Sequence, residues 1–286
     1  IYRLVRYLDT RTGQSPLLKK LMRYVFPDHW SFMLGEIALY CFVVLVATGI
    51  YLTFFFEPST HRVVYQGEYS PLRGQTMSEA YRSVLDLSFR TKAGLLMRQT
   101  HHWAADVFLV AITLHVLRVF FTGAFRRPRE LTYFAGVLML ALALFEGFAG
   151  YSLGDDLLSG MGLAIAYSVV MSIPFVGANL ALLIWHGPFP GTDQFFSRLY
   201  IAHVLLVPVA IGVLLTFHLV SIAFTHHSQF RGSREREDNV VGVPAWPGYT
   251  FRTLGLAFAT AGVLFLLGGL VQINPVWQWG PFEPSQ

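Results

Sequence analysis

The sequence predicts an all-α polytopic membrane protein: a four-helix bundle, a fifth transmembrane helix, and short interfacial helices in one connecting loop. Three observations carry this. Of the 286 residues, 54% are hydrophobic and 13% charged, whereas soluble domains carry about 25% charged residues. Five apolar runs, at 31–56, 103–124, 131–153, 199–224 and 250–273, reach the roughly 20 residues needed to cross about 30 Å of hydrocarbon. Basic residues cluster beside alternate ends of these runs, as topology requires of a membrane chain.

Taken in order, residues 1–30 form a cytoplasmic, interfacial segment carrying Arg3, Arg6, Arg11, Lys19, Lys20 and Arg23. No signal peptide with a small-residue cleavage site precedes the first span, and the first residue is Ile, so the chain reads as trimmed or processed. The bundle occupies 31–226. Its connection after the second span reads "RRPRE", and Arg231, Arg234 and Arg236 fall in the cytoplasmic loop 227–249. Segment 154–198 has one Arg against three Asp, which places the N-terminus inside. The 57–98 loop, with six basic residues, points the other way by itself and is outweighed. Between the third and fourth spans, 160–187 is apolar but interrupted by "IPFVG" and "WHGPFPG", so it forms short helices along one membrane face. Residues 250–286 hold the fifth helix and the start of a C-terminal region. A lone Cys41 excludes a disulfide framework or thiolate metal site and reads as packing. The modest basic excess reflects topology and anionic lipid, with no basic-aromatic array for nucleic acid.

The histidines carry the chemistry. His101 and His115 lie fourteen apart in the second span, and His203 and His218 fifteen apart in the fourth. On an α-helix fourteen residues rise about 21 Å and come within about 40° of four full turns, while fifteen overshoot by about 60°. Each pair therefore faces one direction at two depths, and buried histidine in a span is costly without a partner. Opposed across a bundle, the pairs make two stacked His/His sites, the requirement for two bis-histidine haems and a haem-binding bundle. Gly35 and Gly49 in the first span, and Gly136 and Gly150 in the third, repeat the fourteen-residue spacing where a flat macrocycle needs backbone relief. Arg98 and Arg118 sit three residues from His101 and His115, placed to meet haem propionates rather than merely snorkel. Of the adjacent pair, His101 is the ligand by register and His102 faces a neighbouring helix or the interface. His29, His61 and His186 lie outside the span cores.

The stretches "MRQTHHWAADVFLVAITLHVLRVFFTGAFRRPREL", "EGFAGYSLGDDLLSGMGL", "SIPFVG" and "VQINPVWQWGPFEPSQ" resemble cytochrome b of the quinol:cytochrome c reductase complexes, most nearly the actinobacterial menaquinol-oxidising type. The resemblance covers essentially the whole chain and implies the first five of eight spans. It implies a low-potential haem near the outer face on His101 and His203, and a high-potential haem near the inner face on His115 and His218. It also implies an outer quinol pocket along Tyr151, Gly162 and Pro174. Quinone reduction would take place near the inner haem. Two departures stand out: Gly154 where relatives usually have proline, and a chain that stops at Gln286, before the family's P-[DE]-W-Y motif. Implied partners are a Rieske-type iron–sulfur protein, a cytochrome c subunit, the remaining cytochrome b helices on the same or another chain, lipid, a second copy in a homodimer, and a cytochrome oxidase supercomplex. The implied location is the bacterial plasma membrane.

Proton handling needs groups that titrate near neutrality. His226 and His227 are the inner candidates, or a solvated interfacial pair. Asp155 and Asp156 are the outer ones, or caps of that loop. Glu146, inside the third span, is a relay or a neutral hydrogen-bonded acid. Two other functions fit some of these features: the di-haem anchor of another quinone-linked dehydrogenase or reductase, and a transporter or structural subunit with a histidine proton path.

Overall fold

A computed structural model describes residues 7, 9–11, 13, 15–191, 193–230, 235 and 239–283. Arg3, Arg6, Arg231, Arg234 and Arg236, part of the charge argument, lie outside the described residues. Among the described residues, five helices are long and apolar enough to cross a membrane: Trp30–Thr53, Gly94–Phe121, Glu130–Ser152, Asp193–Thr225 and Ala245–Leu270. They match the five expected spans in order; the fourth begins at Asp193 rather than 199 and the fifth at Ala245 rather than 250, and the second departs most. That helix begins at Gly94 rather than 103, because the polar turn holding Arg98, Gln99, Thr100 and His101 continues the helix. Gln99 and Thr100 are buried inward, a sidedness that average hydropathy does not register.

The first and second spans pack most extensively, the third lies on the fourth, and the fifth crosses the second and first. Small residues let the helices approach. Ala38, Cys41, Ala104, Ala111 and Ala143 form the bundle core with Phe108, Ile112, Met139 and Leu264. Cys41 is fully buried there, a packing residue as expected. Gly268 of the fifth span meets Thr100 so closely that an added Cβ would lie 2.3 Å from its hydroxyl oxygen.

The fourth span is not regular. Residues Ala202–Leu206 form a π turn before Val207–Thr225 resumes as α-helix. Pro208 explains the site: it has no N–H for the carbonyl four residues back, and its ring crowds that carbonyl, so the turn opens by one residue.

At the side holding the N-terminal segment, strand Val25–Pro27 pairs antiparallel with Gly242–Pro244. Gly242 is required there, since a Cβ would fall 1.9 Å from the Phe26 carbonyl oxygen. On the far side, Arg62–Val64 pairs with Thr76–Ser78 and leads into the helix Glu79–Phe89, which Ser78 caps at the Tyr81 amide. Its buried Tyr81 hydroxyl donates to the Val276 carbonyl, 2.9 Å away, pinning the segment after the fifth span. The interrupted region forms Leu157–Met171 and Gly177–Trp185, the expected short helices. They pack with Phe195, Phe196 and Leu199 at the start of the fourth span. His186 ends the second of them in a left-handed conformation.

Candidate functional site

The four span histidines meet in two pairs across the bundle. His101 faces His203 and His115 faces His218, each with ring centroids 6.3 Å apart. Two imidazole–metal bonds of about 2 Å each, plus roughly 1 Å from nitrogen to ring centre on either side, span about that distance. The π turn that contains His203 takes up one residue, so a fifteen-residue spacing in the fourth span opposes a fourteen-residue spacing in the second.

All four spaced glycines back these rings. A Cβ on Gly35 would lie 3.0 Å from Cε1 of His115, on Gly49 3.3 Å from Cε1 of His101, on Gly136 3.7 Å from Cε1 of His218, and on Gly150 2.4 Å from Cε1 of His203. The contact they relieve is with the imidazoles themselves, a refinement of the expected relief for a macrocycle.

Each pair offers two nitrogen donors, and no cluster of three or more His, Cys, Asp or Glu side chains able to hold a metal occurs among the described residues. A two-donor site suits an iron whose equatorial ligands come from a macrocycle. Two further observations fit that group. Buried guanidinium atoms of Arg98 (Nε, Nη2) and Arg118 (Nε) have no hydrogen-bond partner among the described residues, leaving donors for an anion. Arg98 otherwise donates Nη1 to the Asn274 carbonyl at 3.1 Å and lies over Trp277, while Arg118 lies over Phe32. Around His115 and His218, a cavity of about 480 Å³ is lined by Gly35, Gly136, Phe42, Phe108, Met139 and Ile211. His102 turns away from its neighbour and stands edge-on to Tyr151, 6.4 Å between centroids.

The same cavity runs out to the N-terminal side past Tyr24, Phe26, Arg129, His226, His227 and Tyr249. Tyr24 lies 3.2 Å from Nδ1 of His227, and Arg129 Nε donates to the His226 carbonyl at 2.9 Å. Burial first, then Arg118 and Arg129, lowers the His227 pKa to about 4. His227 is therefore a neutral imidazole near pH 7, not the near-neutral titrating group the sequence suggested. Deeper on this wall, Tyr40, Tyr249 and Thr253 converge on the Glu36 carboxylate. The sequence reading did not single out Glu36, although an acid inside an apolar span was the available signal.

On the far side, Asp156 is fully buried and caps Leu157–Met171, its Oδ2 accepting the Leu158 amide at 3.2 Å. Asp155, at φ 48°, has a pKa raised to about 6, chiefly by burial, against the lowering effects of the Ser78 hydrogen bond and Arg62. It lines a cavity of about 290 Å³ with Arg62, Leu163, Phe189, Phe282 and Glu283. Tyr151, Gly162 and Pro174 line neither of these two cavities. Gly154 sits in the turn before the cap, where a Cβ would lie 3.1 Å from Asp156 Oδ1. His29 caps a short 3-10 turn and tilts on Phe230, and His61 is exposed near Glu79.

A helical bundle that presents paired imidazoles at two depths, each backed by glycine, defines a class: the membrane cytochromes of the b type. Comparison with known proteins agrees. Residues 106–281 match the family described as cytochrome b (N-terminal)/b6/petB, and the chain belongs to that family, whose members are multi-pass, haem-binding membrane proteins. It is 48% identical over 284 residues to the "Cytochrome bc1 complex cytochrome b subunit" of Streptomyces coelicolor, covering 99% of this chain and 52% of that one. The subunit of the same name from Mycobacterium tuberculosis is 52% identical over 280 residues, 98% of this chain and 51% of the relative. That of Corynebacterium diphtheriae is 49% identical over 279 residues, again 98% and 52%. The chain thus spans about half the length of these relatives. A solved structure titled "Hyperthermophilic respiratory Complex III" shares the fold, with TM-score 0.79, 20% identity, and coverage of 99% of this chain and 71% of that one.

Proposed function

We propose that this chain is the electron-conducting core of a quinol:cytochrome c oxidoreductase, oxidising quinol at the outer face of a bacterial plasma membrane and reducing quinone at the inner face. The observation that carries it is the pair of opposed imidazole sites, each with ring centroids 6.3 Å apart and backed by two glycines. His101 and His203 would hold the outer b-type haem, and His115 and His218 the inner one. When bound, the two haems supply one-electron carriers stacked across the membrane.

The chain's own residues do the rest. Gly35, Gly49, Gly136 and Gly150 let the helices close on the ligand rings. Arg98 and Arg118 would hold propionates with donors that otherwise lack partners among the described residues. At the inner mouth, neutral His227, next to Tyr24, would donate a ring N–H to a quinone carbonyl, and the apolar cavity walls would exclude water from it. At the outer face Asp155, with a pKa of about 6, is ionised at neutral pH and can accept a proton released there. Asp156 serves as a helix cap. The basic residues Lys19, Lys20 and Arg23, on the same side as the inner pair, support a cytoplasmic N-terminus.

The relatives' name, a subunit of a cytochrome bc1 complex, supports the rest of the assignment: a Rieske-type iron–sulfur protein and a cytochrome c subunit as partners, further cytochrome b helices, a homodimer, and association with a cytochrome oxidase. Menaquinone is the proposed quinone. The test is a reduced-minus-oxidised spectrum with a potentiometric titration of the purified complex. Two b-type components with distinct midpoints are expected, together with inhibition of quinol oxidation by an outer-pocket ligand. Absence of b-type bands would refute the reading, and two haems without outer quinol oxidation would favour a dehydrogenase anchor.

A further inference from the structure

The four imidazoles differ in what meets their second ring nitrogen. Nδ1 of His101 lies 2.9 Å from the Thr48 hydroxyl, which itself donates to the Val44 carbonyl at 2.7 Å and so offers a lone pair. Nδ1 of His218 lies 2.9 Å from the Thr132 carbonyl. Nδ1 of His115 has no partner among the described residues. Nδ1 of His203 alone faces a carboxylate, with Glu146 Oε1 at 3.0 Å.

The third span repeats this arrangement with a single difference. Thr132 and Gly136 are four residues apart and both meet His218; fourteen residues on, Glu146 and Gly150 are four apart and both meet His203. Residues four apart share a helix face, and the third span meets both rings, through a backbone carbonyl at Thr132 and through a side chain at Glu146. It gives one a neutral carbonyl and the other an acid. The contact is enclosed: Nδ1 of His203 and Oε2 of Glu146 are buried and have no hydrogen-bond partner among the described residues, so the 3.0 Å approach is an ion-pair contact made by proximity.

We propose that Glu146 is a positioning residue that fixes His203 through Nδ1 and holds the His101–His203 haem at a lower reduction potential than the other. Two effects act in the same direction. A carboxylate accepting the Nδ1 proton makes Nε2 more electron-rich and favours the more positive, oxidised metal. A negative oxygen inside a low-dielectric bundle favours that state again by charge. The inner pair, with one neutral carbonyl and one empty Nδ1, has neither. With both groups bound, the resulting difference would favour electron flow from the outer site to the inner one. This inference rests on the proposed haem ligation and assigns Glu146 no proton-relay role.

The experiment is a potentiometric titration of the intact complex carrying Glu146→Gln, which keeps shape and an acceptor but removes the charge. The reduction equilibrium of the outer haem is expected to shift on the order of tenfold toward the reduced form, about 59 mV for a one-electron couple, with the inner haem unmoved. Thr48→Val should move the same haem by less, because it removes only a neutral acceptor. If Glu146→Gln does not assemble, Glu146→Asp draws the charge back by one carbon and should raise the outer midpoint by less than tenfold. An outer midpoint equal to that of the unaltered complex, or lost turnover with both midpoints unmoved as a relay would give, overturns the inference. Fewer than two b-type haems in the unaltered complex would overturn the ligation reading instead.

Discussion

Gly150→Ala is expected to cost the complex its outer haem, and the four glycines together make that a graded test. The new Cβ would stand 2.4 Å from Cε1 and 2.9 Å from Nε2 of His203. To regain ordinary contact the ring must retreat by about 1 Å, but a ring tied to a metal by a bond of about 2 Å has little room to do so. Overpacking of this kind costs about 1–3 kcal/mol, roughly 5- to 150-fold in cofactor affinity. The same substitution at Gly136, where the gap is 3.7 Å, meets only an ordinary contact and should be close to neutral. Gly35 at 3.0 Å and Gly49 at 3.3 Å should fall between, Gly35 affecting the inner haem and Gly49 the outer. Haem-to-protein ratio by pyridine haemochromogen, with the midpoint of the surviving haem, reads the series. Equal losses at Gly136 and Gly150, or loss of the inner haem from Gly150→Ala, would refute the assignment of glycines to rings.

Three other outcomes follow from the geometry. His101→Ala should abolish the outer haem while His102→Ala, whose ring stands against Tyr151, should retain it; absorption spectra of the two variants decide. Asp156→Ala removes a cap and should lower stability by about 0.5–2 kcal/mol, read as earlier thermal unfolding of the solubilised protein. Asp155 has a folded pKa raised from 3.8 to about 6, chiefly by burial. Its contribution favours folding below the unfolded value and is lost as pH rises through 6. Asp155→Asn should then be more heat-stable than the parent at pH 7 but not below pH 4, and equal melting shifts at both pH values would contradict that.

Much of the fold was legible because membrane spans and ligand spacing are both periodic. His101 with His115, and Gly136 with Gly150, could be found by counting, since a helix puts them on one face at two depths. What counting missed was sidedness and tertiary pairing. The apolar run of the second span counts only from 103 because the polarity of the turn at Arg98–His101, which points inward, hides the helix's true start. Glu36 was passed over because its three hydroxyl partners come from the same helix and from the distant fifth span. His227 looked like a near-neutral base because its burial and two arginine neighbours are assembled only by the fold. Glycine at positions 35, 49, 136 and 150 was noticed for a sound reason, but its contact is the ligand ring, which no spacing could name.

The widened turn at Ala202–Leu206 bears on how such sites should be sought and edited. Counted along the chain, the fourth helix is one residue out of step with the second; measured in space, it is in step. Removing one residue from 204–206 along with Pro208→Ala should restore a plain helix with fourteen-residue spacing while leaving both imidazoles opposed. The same deletion anywhere between 209 and 217 would turn one ring about 100° away. The count that matters is thus taken in turns of helix, and a single proline decides where the extra residue is stored.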